Sequence, residues 1–132
     1  MTTYARRLGL FSGTMAVIGG DASFTANFAT GHISGSFTNM ISAFNDHQSL
    51  PWNDVSVSAS IAMGTSTFSG STSIASTPAI PSANAYLLKG AATGHIDGGF
   101  YGRAANEIGA VWTLSNGDGT GSAIGVVGAR KQ

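Results

Sequence analysis

The chain contains no cysteine. Disulfides and thiolate metal sites are therefore excluded. Charge is nearly as scarce: 9% of the 132 residues are charged, and six basic side chains balance six acidic ones, against about 25% charged in an average globular protein. A nucleic-acid partner is not expected, because phosphate binding needs a basic stripe. The only basic clusters, Arg6-Arg7 and Arg130-Lys131, sit near the two ends and read as solvated termini. No apolar run reaches the roughly 18 residues of a membrane-spanning helix, so no transmembrane segment is expected. The first twenty residues carry two arginines and then apolar residues, but Ser12, Gly13 and Thr14 interrupt them. No signal peptide is therefore recognised, and without cysteine there is no lipobox.

What is present is abundant hydroxyl and glycine: 17 Ser, 13 Thr and 19 Gly, beside a 42% hydrophobic content sufficient for one core. The length fits one domain, expected over 1–132 with residues 1–7 as an N-terminal extension. The dominant period is two. Ala22, Phe24, Ala26 and Phe28 share one face, with Ser23, Thr25 and Asn27 on the other; Val55, Val57, Ala59, Ile61 and Met63 alternate with Ser56, Ser58, Ser60 and Ala62. Such alternation describes strands with one dry and one wet face. A nine-residue segment, 29–37, recurs as 92–100 with seven identical positions. It places His32 and His95 alike, each one residue before an inward isoleucine and hence outward.

Strands are expected at about 8–18, 22–30, 32–41, 54–63, 66–75, 91–101, 108–115 and 122–129. Turn signals separate them at Gly19-Gly20-Asp21, Thr30-Gly31, Met63-Gly64-Thr65 and Asn116-Gly-Asp-Gly119. Two connections are longer, 42–53 and 76–90. Glycines inside strands, among them Gly35, Gly70 and Gly98, fit a strongly coiled sheet. The fold class expected is all-β: a single eight-stranded antiparallel up-and-down β-barrel with two longer loops. A Ser/Thr-rich outer face, without an apolar band and aromatic girdles, argues against a barrel that spans a membrane.

Residues 94–112, Gly-His-Ile-Asp-Gly-Gly-Phe-Tyr-Gly-Arg-Ala-Ala-Asn-Glu-Ile-Gly-Ala-Val-Trp, resemble the signature of the transferrin-binding-protein-B-like β-barrel domain. That signature has a strand ending Gly-x-Phe-Tyr-Gly, then Pro-x-Ala-x-Glu, then glycines and an aromatic residue. The ending Gly125-Val-Val-Gly-Ala-Arg-Lys131, the stretch 24–39 and Thr67-Phe-Ser-Gly70 are similar to other family segments. Arg103 stands at the usual proline, Ala110 at the frequent second glycine and Val127 at a terminal aromatic position. The long handle of the larger members is missing. The resemblance implies the barrel fold, and a surface-exposed protein like those larger members, which are lipoproteins of Gram-negative bacteria capturing host iron carriers, haem or other host proteins. It singles out Phe100, Tyr101, Gly102, Glu107 and Gly109 as a structural motif: Phe100 inward, Gly102 at a tight turn, Glu107 accepting backbone N–H bonds or pairing with Arg103.

No catalytic constellation is visible, so no enzyme is expected: no nucleophile elbow, no carboxylate pair, and a Gly117-Asp-Gly-Thr-Gly121 stretch that reads as a hairpin. No metal site and no cofactor are expected, haem at His32, His47 or His95 being the remaining candidate. Binding residues are sought in the long loops: Phe44, His47, Leu50 and Trp52 in the first, Tyr86 and Leu87 in the second. If both open on one barrel end they form either an apolar patch for a protein partner or a plug closing the barrel. The function expected is a non-enzymatic binding module, secreted or on the outer cell surface. The alternative is a structural subunit of a filament, surface layer or virion, packing on copies of itself through its uncharged Ser/Thr-rich face.

Overall fold

Period-two alternation of burial runs through the β-strands from residue 54 to the end of the chain. The computed structural model describes residues 2–12, 16–43, 49–78, 87–118 and 121–132. Its strands are β1 (Thr2–Ser12), β2 (Ala16–Asn27), β3 (His32–Ala43), β4 (Ser49–Pro51), β5 (Asp54–Ile61), β6 (Thr67–Ser76), β7 (Thr93–Tyr101), β8 (Glu107–Ser115) and β9 (Ser122–Lys131), with one 3-10 turn at Arg103–Ala105. The hydrogen-bonded order is β2-β1-β9-β8-β7-β6-β5-β3, and β3 returns to β2. Every pairing in that ring is antiparallel. Eight strands thus make an up-and-down barrel, as expected, and the three-residue β4 adds to β3 beyond β5.

Short reversals at 28–31, 62–66 and 102–106 lie at one end of the barrel, here the turn end. The connections after β3 and β6 and the β8–β9 hairpin lie at the other, the loop end. The two copies of the nine-residue repeat run in opposite directions. His32 opens β3 at the turn end, whereas Thr93 opens β7 at the loop end. Both histidines are nonetheless outward and exposed, and Ile33 and Ile96 are fully buried.

The start of the chain corrects two expectations. Residues 2–7 are no extension: they form the first half of β1, paired with β2 from Thr2↔Ala26 to Arg7↔Asp21. The strand expected at 8–18 is divided between β1 and β2. Gly19-Gly20-Asp21 is not a turn but lies inside β2, where the β2–β3 register shifts in a bulge. There Asn39 takes a positive φ of 53°, and its side-chain amide donates to Asp21 Oδ2 at 3.0 Å. A Cβ on Gly20 would lie 2.7 Å from the Thr38 carbonyl oxygen. Glycine is required there by crowding at a bulge, not by chain reversal.

The lumen is filled by rings. Phe24 meets Phe37 edge-on at 6.0 Å, and Phe37 lies 5.1 Å from Trp112. Phe68 and Phe28 flank Phe100 toward the turn end at 5.6 and 5.0 Å. Inward glycines sit beside these rings and their neighbours on adjacent strands, Gly98 paired with Phe68 and Gly70 with Ala59. A Cβ on Gly98 would lie 2.6 Å from Phe68 Cζ, and one on Gly70 would strike the Ser58 carbonyl oxygen and stand 2.7 Å from Ala59 Cβ. The outer face carries hydroxyl rows: Ser23, Ser36, Ser56, Ser73 and Thr93 are successive cross-strand partners over five strands. Val111 and Val126 form one outward β-branched pair.

Substituting Gly70→Ala should therefore cost about 2–3 kcal/mol, because backbone on the neighbouring strand must move. The melting temperature should fall by roughly 5–15 °C. Gly117→Ala, where a Cβ meets nothing within 4 Å, should leave it within about 2 °C. Equal melting of both variants would contradict the packing described.

Candidate functional site at the loop end

Asparagine favours turns because its amide both donates and accepts. Asn53, between β4 and β5, is 0% exposed and uses that capacity to join the two long connections. Its Nδ2 donates to Thr77 Oγ1 at 3.1 Å and to the Leu88 carbonyl at 3.0 Å. The Leu88 N–H donates back to Asn53 Oδ1 at 2.7 Å. A second buried asparagine extends the network: the Lys89 N–H donates to Asn116 Oδ1 at 2.8 Å, and the Asn116 N–H to the Gly121 carbonyl at 2.9 Å. Lys89 Nζ pairs with Asp118 on the β8–β9 hairpin. Both side chains are about half exposed or more, so this pair contributes at most about 1 kcal/mol. The buried amide bonds, not the ion pair, hold the three loop segments together.

The apolar residues sought in these loops have separate fates. Phe44, His47 and Tyr86 lie outside the described residues. Trp52 is 2% exposed and Leu88 4%; both belong to the core and close the barrel beneath the loops. The Trp52 N–H donates to the Met40 carbonyl at 2.9 Å, which fixes the chain as it leaves β4. Leu50 and Leu87 are half-buried, Leu87 packing against the core. The loop end thus has a floor of Trp52 and Leu88, with Leu50 and Leu87 partly open above it. Asn53 was not singled out by sequence reading, since a lone asparagine beside a strand carries no periodic signal.

At the opposite end, Phe100 is buried as expected, and Gly102 turns the chain with φ 79°. Ala104 and Ala105 follow with φ 56° and 55°, values that cost a residue with a Cβ roughly 1–2 kcal/mol. Tyr101 is 58% exposed and lies along the outer face, where a Cβ on Gly109 would stand 3.3 Å from its ring. Glu107 does not pair with Arg103. It faces its cross-strand neighbour Arg130 at 3.7 Å. The turn is pinned from β9 instead: Lys131 Nζ donates to the Ala104 carbonyl and the Lys131 N–H to the Asn106 carbonyl, both at 2.8 Å. Among the described residues no group of three or more His, Asp or Glu side chains is placed to hold a metal ion. No described helix is long and apolar enough to cross a membrane.

A family model described as the C-lobe and N-lobe beta barrels of Tf-binding protein B matches residues 9–131. The chain belongs to this barrel family. Two solved structures of mutant Transferrin Binding Protein B, a vaccine antigen from Haemophilus parasuis Hp5, are similar to it. Their TM-scores are 0.61 and 0.65, each at 18% identity over 99% of this chain. The chain spans about a quarter of those proteins, 26% and 25% of their lengths. Comparison with curated protein sequences gives no match. At that identity the likeness establishes the fold. The Phe-Tyr-Gly to Glu segment that carried the resemblance is the left-handed turn between β7 and β8, and its geometry serves the barrel.

Asn53→Ala should strand the Leu88 N–H and carbonyl, costing about 2–4 kcal/mol. Trp52→Ala should cost about 3–5 kcal/mol by opening a cavity. Thermal unfolding of the two variants measures this, and a Trp52→Ala protein that melts like the parent would mean that Trp52 does not plug the barrel.

Proposed function

We propose that the chain is a non-enzymatic binding module displayed outside the cell, and that its ligand face is the loop end. The observation that carries this reading is the Asn53 network, which locks two long connections onto one barrel end. Binding surfaces built on loops need a rigid scaffold, and a buried amide with its donor and acceptor sides both engaged supplies it. Membership of the barrel family supports a protein ligand, since the solved relatives are named for binding transferrin. Leu50 and Leu87 are the described residues offering apolar area there; Phe44, His47 and Tyr86, outside the described residues, are proposed as binding residues with them. Transferrin, in iron-loaded and iron-free forms, is the first ligand to try, and haem the second.

Immobilised protein exposed to each ligand tests this. Leu50→Glu should weaken binding at least tenfold and leave the melting temperature within about 3 °C, whereas Leu87→Glu, at a side chain that also packs against the core, should weaken binding as much and lower the melting temperature by roughly 3–8 °C. Binding of transferrin or of a Soret-shifted haem that survives both substitutions would move the ligand face elsewhere on the barrel.

A further inference from the structure

We infer that copies of this chain associate head to tail, the loop end of one barrel docking on the turn end of the next. The eight ring strands pair with one another all the way round, so the edge left for strand addition among the described residues is that of the three-residue β4. The flank carries Ser/Thr rows, whose short hydroxyls water satisfies as well as a partner does, and an apolar patch of Val111, Ile124 and Val126 on β8 and β9. The ends differ in kind, and they differ in charge.

Arg103, Arg130 and Lys131 gather at the turn end with Glu107 as the one carboxylate in that group. Arg6, next along β1 from the Ala5 that pairs with Arg130, adds its position to the same end. At the loop end, Asp118 pairs with Lys89, and Asp54 opens β5. A neutral chain is in this way divided into a basic end and an acidic end. With only 9% of its residues charged, little else competes with that polarity.

Shape agrees with charge. The turn end has a recess of about 390 Å³ lined by Asn106, Glu107, Arg130, Lys131 and Gln132. The β8–β9 hairpin carries Asp118, a side chain 47% exposed, at its tip. Docking places that carboxylate toward Arg130 and Lys131, while Lys89 meets Glu107. Because the two surfaces differ, the contact is heterologous and does not end at a dimer unless the rotation closes a ring. The inference does not rest on the ligand proposed for the loop end. It concerns the purified chain alone, although a ligand seated there would compete with the next copy.

Two variants test it. One carries Arg103→Glu with Arg130→Glu, so that both ends are acidic; the other carries Asp54→Lys with Asp118→Lys, so that both are basic. Sedimentation of the parent should show association that weakens at least tenfold between 20 and 500 mM salt, as screening shortens from roughly 20 Å to about 4 Å. Each variant alone should be monomeric with parental circular dichroism, and mixing the two should restore association. A parent that stays monomeric at millimolar concentration and low salt would overturn the inference. So would association that neither variant disturbs, or a turn end that binds anionic lipid vesicles without any self-association.

Discussion

The interior of an eight-stranded barrel has room for side chains and for little else, and that volume limit governs the rest of this molecule. Rings from β2, β3, β6, β7 and β8 occupy it. They fit because inward positions beside them on adjacent strands carry no side chain at all, as at Gly98 next to Phe68 and Gly35 next to Phe24. Large and small residues thus alternate along a strand, as Phe68 and Gly70 do on β6, and between neighbours, as Phe68 and Gly98 do. The turn between β7 and β8 follows from the same limit. It accepts two alanines in the left-handed region so that β8 re-enters the ring directly beside β7, and Lys131 on the last strand holds it in place.

The loop end inherits its order from the lumen. Trp52 and Leu88 are the last layer of core, and only above such a floor can Asn53 be buried with all its partners. A buried amide left half-satisfied would cost more than it contributes. Completed by Thr77 and Leu88, it makes two distant segments behave as one surface. The loop end is therefore a pre-set platform built from two distant segments.

Much of this was legible from the residues. Period-two alternation located six of the ring strands to within two residues and the second half of β2, and the Asn116-Gly-Asp-Gly119 signal marked the last hairpin, because both are local properties. The first strand was missed because Arg6-Arg7 breaks the alternation of β1 and because Gly19-Gly20 looks like a reversal. Its meaning as a bulge depends on the Thr38 and Met40 backbone of another strand. For Glu107 the sequence suggests backbone N–H groups or Arg103, four residues before it, whereas its ion-pair partner is Arg130 across the sheet. Asn53 gave no sign of itself. Each of these misses concerns a relation between residues far apart in sequence, and no period or motif encodes such a relation.

The duplicated segment has one more consequence. Its copies point in opposite directions, β3 rising from the turn end and β7 descending toward it, yet Ile33 and Phe37 on one and Ile96 and Phe100 on the other all reach the core. A strand with period two is nearly palindromic in what it offers the lumen. Reading it backwards exchanges neither face. A short block of this kind is interchangeable in a way no helical block is, and a barrel can be enlarged or rebuilt from one strand sequence without regard to its polarity.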